Sequence, residues 1–199
     1  MVDWDQRFAR SGYLFGTEPA AFLRAQAGGL APGSRVLCVA DGEGRNSSYL
    51  AGLGHRVTAF DASGVALDKA RALAVERGVS VDFVQSGIED WDWSRTHDAV
   101  VGAFIQFAPP ELRDRLFGWM AQAVAPGGLL LLHGYAPRQV EYGTGGPPRA
   151  VNMYTEDLLR AAYDGWEILR LEDYDAEIDE GPGHSGLSAL VDLVARKPG

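Results

Sequence analysis

Short, wholly apolar runs alternate along this chain with longer segments in which apolar residues recur every three or four positions. Val36-Leu37-Cys38-Val39 follows the turn Pro32-Gly33 and reads as a buried strand. Arg45 to Leu53 reads as a helix closed by Gly54, and Arg56 to Phe60 as a second strand. Ser63 is placed to cap a helix with Ala66, Ala70 and Leu73 on one face and Gly78 past its end. Val79 to Val84 makes a third strand and Asp98 to Phe104 a fourth. Pro109-Pro110 opens a helix in which Leu112, Leu116 and Trp119 or Met120 recur at helical spacing. Pro126-Gly127-Gly128 stops it before a fifth strand, Leu129 to His133.

Strands separated by helices in this way predict βαβ units, a parallel sheet and right-handed crossovers. The strands are apolar throughout because a parallel sheet is covered on both faces. The two ends depart from the pattern. Residues 1–30 are a lead-in with the aromatics Trp4, Phe8, Tyr13 and Phe15, then a helix from about Pro19 to Ala27. Residues 134–150 are a Gly- and Pro-rich stretch of the kind that serves a function or moves. Thr155 caps a helix beginning Glu156-Asp157. Trp166 to Tyr174 and Ser188 to Ala195 alternate as half-buried strands, with no room between them for a crossover helix, so they pair antiparallel. The acid-rich stretch Glu172 to Glu180 reads as a solvated edge that resists pairing with other strands. With no internal repeat or linker, residues 1–199 are expected to form a single domain.

The chemistry concentrates after strand one. The run Ala40-Asp41-Gly42-Glu43-Gly44-Arg45-Asn46 leads from that strand into a helix, and its glycines let the backbone pass close to a ligand. Such a ligand binds beyond the carboxyl ends of the strands. Asp61 closes strand two, nineteen positions after Gly42, where an acid accepts hydrogen bonds from both hydroxyls of a ribose. Together these features indicate an adenosine-type cofactor. A dinucleotide fingerprint would be Gly-x-Gly-x-x-Gly/Ala, but its third place holds Ser47, and too little chain follows strand five for a separate substrate domain.

Several stretches carry a family resemblance: Trp4-Asp5-x-Arg7-Phe8, Phe15-Gly16-x-x-Pro19, Gly42-Glu43-Gly44-Arg45-Asn46 and Ala59-Phe60-Asp61-Ala62-Ser63. Ala125-Pro126-Gly127-Gly128, Gln139 with Gly143-Thr144-Gly145-Gly146-Pro147, and Glu180-Gly181-x-x-His184-x-Gly186 continue it. Over nearly its whole length the chain resembles the class I S-adenosylmethionine (SAM) methyltransferases, and within them the small bacterial tellurite-resistance and thiopurine-type (TehB-like) group. The resemblance implies an α/β, Rossmann-like, seven-stranded and mainly parallel sheet with a final antiparallel strand and helices on both faces. Residues 1–30 would then be a lid and residues 134–150 a substrate-side loop.

Residue by residue, the resemblance implies that Gly42 and Gly44 admit the methionine part of SAM, Asp61 holds the ribose and Ala62 flanks the adenine. Arg45 either meets the SAM carboxylate or is a charge on the helix surface. Phe104, at the end of strand four, would lie near the sulfonium. The class usually has an acid inside strand one and a glycine soon after it, where this chain has Cys38 and Ala40. Asp41 is then the residue to supply the missing negative charge. The acid often found after strand three is replaced by Gly87, which leaves the Ile88 backbone N–H to reach the adenine ring.

Charge and composition narrow the partners. Apolar residues make up 46% and charged residues 23% of the 199, which is ordinary globular usage. The net charge is −9, from 18 basic and 27 acidic residues, which argues against a nucleic-acid groove or an anionic membrane surface. Cys38 is the one cysteine, so no intrachain disulfide forms and a reducing compartment is expected. The start Met1-Val2-Asp3-Trp4-Asp5 is acidic and unlike a signal peptide, and no apolar run approaches the roughly 20 residues that span a bilayer. A cytoplasmic protein, monomer or homodimer, is the expectation. No metal is expected either, because no ligand set has suitable spacing.

Tyr13, His133, Tyr142 and His184 are the candidates for the acceptor side. Each has a plainer alternative: packing in the lead-in for Tyr13, a strand end for His133, an open loop for Tyr142 and a solvated turn for His184. Three functions remain in view: methyl transfer from SAM, yielding S-adenosylhomocysteine (SAH), to a small molecule such as a chalcogen oxyanion or thiol; a non-catalytic SAM/SAH-binding sensor or partner module; and a small NAD-type oxidoreductase.

Overall fold

The computed structural model describes residues 3–199; Met1 and Val2, the first residues of the acidic opening, lie outside the described residues. The lead-in forms α1 (Trp4–Phe8), capped by the Asp3 carboxylate on the Gln6 N–H, and α2 (Ala21–Gln26). The apolar run after Pro32-Gly33 is β1 (Arg35–Val39), followed by α3 (Arg45–Gly52) and β2 (Arg56–Asp61). In α4 (Gly64–Glu76) the Ser63 hydroxyl accepts from the Ala66 N–H, and Ala66, Leu67, Ala70, Leu73 and Ala74 are buried, as the spacing predicts. The third strand, β3 (Asp82–Gln85), starts three residues later than the apolar pattern suggests, because the Val79 N–H is spent on the carbonyl of Ala74 at the end of α4.

Downstream come β4 (His97–Ala103) and α5 (Pro110–Ala123). The buried stripe of α5 is Arg113, Leu116, Phe117, Met120 and Ala123, so the helix is rotated from the face expected through Leu112. Arg113 donates to the carbonyl of Val151 at 2.9 Å, which accounts for a buried arginine on an apolar face. The Pro126-Gly127-Gly128 segment does not precede β5 (Val124–Tyr135) but lies within it. Pairing with β4 jumps from His97↔Val124 to Ala99↔Leu129, so four residues, Ala125 with Pro126-Gly127-Gly128, stand opposite Asp98 alone and bulge out of the ladder. The Gly- and Pro-rich stretch holds one short helix, α6 (Gln139–Tyr142), before α7 (Glu156–Ala162), capped by Thr155. The chain ends in the long hairpin β6 (Glu167–Asp179) and β7 (Ser185–Arg196).

The seven strands run in the order β3-β2-β1-β4-β5-β7-β6. β1 pairs parallel with β2, β2 with β3, and β4 with β5; β7 is antiparallel to both β5 and β6. The acidic strand β6 lies at the edge, as its charge requires. The chain divides into two compact units, one of the residues through Asp92 with Glu180–Gly183, the other of Trp93–Asp179 with His184–Gly199.

Candidate active site

In the first unit, β1 and β2 deliver their carboxyl ends side by side, with Val39 opposite Phe60. Asp61 is buried there. Its Oδ2 accepts from the Gly42 N–H at 2.9 Å and its Oδ1 from the Ser63 N–H at 2.8 Å. Burial raises its carboxyl above the ordinary range, and the backbone hydrogen bonds pull it back. The turn before α3 is tightly folded: Ala40, Gly42 and Gly44 all have positive φ, at 46°, 62° and 83°. A side chain at Gly44 would place its Cβ 2.6 Å from the Ala70 Cβ, so glycine is what lets the turn close onto α4.

Other side chains of the turn hold the lead-in. Glu43 is buried, accepting from the Leu14 N–H at 2.7 Å and pairing with Lys69 at 2.9 Å. Asn46 accepts from the Ala20 N–H at 3.0 Å. Arg45 forms a buried ion pair with Glu180 at 2.8 Å and donates to the Glu18 carbonyl. Its guanidinium is therefore held inside the fold and is not a charge on the helix surface. Glu180 also accepts from the Ala21 N–H, and Gly183 donates to the Leu14 carbonyl. Tyr13 donates to the carbonyl of Lys69 on α4, and Phe8, Leu14 and Ala66 pack in one cluster. Ile88 is buried after β3, and Phe60 stacks on Trp91 with centroids 4.3 Å apart.

Aromatic side chains gather in the second unit. Phe104 follows β4 with φ 57°, and its N–H donates to the His133 carbonyl at 2.7 Å. Its ring lies 4.1 Å from His184, 4.6 Å from His133 and 4.9 Å from Tyr135. Both histidines are buried, so His184 does not sit in a solvated turn. His133 Nδ1 lies 2.7 Å from Asp192 Oδ1, and Asp192 also receives the Arg170 Nε–H at 2.9 Å and the Tyr174 hydroxyl at 3.3 Å. The structure thus brings His133 and His184 together around Phe104. Tyr142 is placed elsewhere: its hydroxyl donates to Asp175 in an exposed cluster where Arg138 meets Asp173 and Asp175. Gln139 ties the Gly-rich stretch down by donating to Thr144 and accepting from the Ala189 N–H.

Sequence reasoning assigned no role to Glu43, Gln106, Glu180 or Asp192. Asp192 had a signal, an acid within the apolar run Ala189–Ala195, which must find a partner when buried. Gln106, which pairs with both the N–H and the C=O of Tyr135, had none.

Residues 36–128 match a family model described as a methyltransferase domain. A thiopurine S-methyltransferase from Pseudomonas putida (strain W619) is 30% identical over 190 residues, covering 84% of this chain and 83% of that protein. This chain belongs to the SAM-dependent methyltransferase family. As a SAM-dependent methyltransferase it transfers a methyl group to a small molecule, which decides among the three readings open from the sequence. The fold agrees with solved relatives. TehB from Haemophilus influenzae superposes with a TM-score of 0.74 at 20% identity, over 98% of this chain and 65% of that one. A protein from a study of disulfide-to-thioacetal conversion in echinomycin biosynthesis gives 0.78 at 20% identity, over 98% and 91%. Among the described residues of this methyltransferase, no helix is long and apolar enough to cross a membrane.

Proposed function

We propose that the acceptor is a small soft nucleophile, a thiol in preference to a chalcogen oxyanion. The ring cluster of Phe104, His133, Tyr135 and His184 carries this reading. Ring faces and edges suit a polarisable or planar acceptor, whereas an oxyanion calls for free guanidinium groups. Arg170, which reaches the cluster through Asp192, does not offer that, because it is held by both Glu172 and Asp192. The relative named for S-methylation of thiopurines supports the same choice.

The residues of the first unit fit the cofactor. The carboxylate of Asp61 keeps acceptor capacity for ribose hydroxyls beyond its two backbone N–H groups. In this reading Gly42 and Gly44 line the methionine part, Ala62 and the Ile88 N–H border the adenine, and Arg45 acts through Glu180 as a brace of the turn. Residues 1–30 form a lid and residues 134–150 line the acceptor, all within a single functional domain. When bound, SAM supplies the methyl group as an electrophile. The chain's own task is to orient the acceptor and keep water out. A thiolate needs no base. For a neutral acceptor, Asp192 holds the Nδ1–H tautomer of His133, which makes Nε2 the proton-accepting atom. His184 and Phe104 confine the acceptor.

The test is a methyl-transfer screen with heteroaromatic thiols, aliphatic thiols and tellurite or selenite. Turnover of a thiol in preference to the oxyanions supports the reading, and any loss in His133→Ala should be confined to pH values below the thiol's own pKa, where the acceptor arrives neutral. Turnover of oxyanions alone contradicts it.

A further inference from the structure

We propose that Arg170 is a positioning residue of the acceptor site: through Asp192 it keeps Nε2 of His133 unprotonated, an inference that rests on the reading of His133 as the proton-accepting group. Strand register builds the arrangement. His133 of β5 lies opposite Asp192 of β7, and Asp192 lies opposite Glu172 of β6. Residues two apart on a strand share a face, so Arg170 and Tyr174 flank Glu172 on the face that carries Asp192. Three side chains therefore converge on one carboxylate. Asp192 Oδ1 lies 2.7 Å from His133 Nδ1 and accepts from the Tyr174 hydroxyl at 3.3 Å, and Oδ2 accepts from the Arg170 Nε–H at 2.9 Å.

Charge decides what each of the three does. The side chains of His133 and Asp192 are 3% and 2% exposed, and an ionised carboxylate taken out of water needs a counter-charge. Tyr174 supplies a hydrogen bond and no charge, because burial, and after it Asp192, hold its hydroxyl protonated well above the usual range. Arg170 supplies a permanent charge. One carboxylate and one guanidinium balance, so the His133–Asp192 pair takes up no further proton. His133 then donates from Nδ1 to Asp192, and Nε2 carries no hydrogen. Glu172 meets the outer end of Arg170 at 2.8 Å but is exposed, so solvent screens it. On the side of the ring cluster the titratable groups are His184, 4.1 Å from Phe104 between ring centres, and Tyr135, packed with Met153 and Leu190.

Without Arg170 the same pair has to bind a proton. On the imidazole it gives an imidazolium beside a carboxylate. On the carboxyl it makes a donor to Nδ1 and shifts the ring hydrogen to Nε2. Either way Nε2 is protonated and cannot take the proton of a neutral acceptor.

The experiment is nitrogen-15 NMR of the full chain with labelled histidines, without cofactor or acceptor. The pH is about 7.5, roughly one unit above the ordinary histidine value. The His133 signals are identified by their loss in His133→Ala, and the Nε2 shift tells a protonated nitrogen from an unprotonated one. For the wild type we expect a protonated Nδ1 and an unprotonated Nε2. In Arg170→Gln, Nε2 should be protonated in most molecules. In Arg170→Lys, which keeps the charge, and in Glu172→Gln, which leaves Asp192 its guanidinium, Nε2 should stay unprotonated. Turnover of the accepted thiol, measured below its own pKa, should fall roughly 10-fold in Arg170→Gln and recover in Arg170→Lys. A wild-type Nε2 already protonated at that pH overturns the assignment, and that result needs no variant to fold. So does an unprotonated Nε2 in Arg170→Gln, or a protonated one in Arg170→Lys, where shape and not charge would be at work. Protonation of Nε2 in Arg170→Gln with undiminished turnover of the neutral thiol overturns the reading of His133 as the proton-accepting group, and with it the place of Arg170 in the acceptor site.

Discussion

Gly44 shows how tightly single residues constrain the turn. Its φ of 83° and the 2.6 Å approach that a Cβ would make to Ala70 act together. Gly44→Ala should destabilise the chain by about 3 kcal/mol, combining a left-handed alanine with overpacking. The midpoint of urea unfolding checks this, and an unchanged midpoint contradicts the packing described. At this scale the sequence was most informative about the turn itself: it marked Gly42 and Gly44, which adopt positive φ, and Asp61, whose carboxylate is buried at the end of β2. It was least informative where a role depends on who lies across the fold. Glu43 and Arg45 read as parts of a cofactor loop, yet their partners are Leu14 and Glu180, which stand 29 and 135 positions away. No local spacing reports such distances.

Among the elements, the lead-in is fastened to the first unit by polar contacts as much as by its aromatic cluster. Arg45–Glu180 is the central fastening, with side chains only 7% and 9% exposed. Glu180→Gln leaves a buried guanidinium without its counter-charge and should cost about 3 kcal/mol, with earlier proteolysis of the lead-in. The pair Arg24–Glu18, exposed by 56% and 74%, is the control, and its removal should change little. Equal behaviour of the two pairs contradicts the account. The helices capped by Ser63 and Thr155 were legible because a cap is a local device. The Pro126-Gly127-Gly128 bulge was not, because a strand that continues through such a break is held by its partner β4, a long-range fact. The buried stripe of α5 was likewise shifted by what it packs on, with Arg113 reaching Val151.

For the whole molecule, the doubly wound order was legible from the alternation of apolar runs and periodic segments, and the antiparallel end from the short link between the last two strands. Two buried acids also set its response to pH. Asp41 is raised to about 7 and Asp61 is raised as well, both chiefly by burial. A carboxyl raised in the folded state adds stability that is fully present below its ordinary value and lost as pH rises through the folded one. The ligand-free chain should therefore melt at a higher temperature near pH 6 than near pH 8, on either side of the Asp41 value, and Asp41→Asn should flatten that slope. Asp175, lowered by Arg138, acts with the opposite sign only below its ordinary value, but His55, lowered by burial, opposes the slope near pH 6, so the difference between wild type and Asp41→Asn is what isolates the carboxyl. A slope unchanged in Asp41→Asn contradicts the placement of that carboxyl. The most direct test of the central claim is calorimetric titration of wild type and Asp61→Ala with SAH and with NADH, each variant first shown to be folded by its melt. The account predicts that the wild type binds SAH and not NADH and that Asp61→Ala loses SAH. Binding of NADH in place of SAH, or SAH binding indifferent to Asp61, would contradict it.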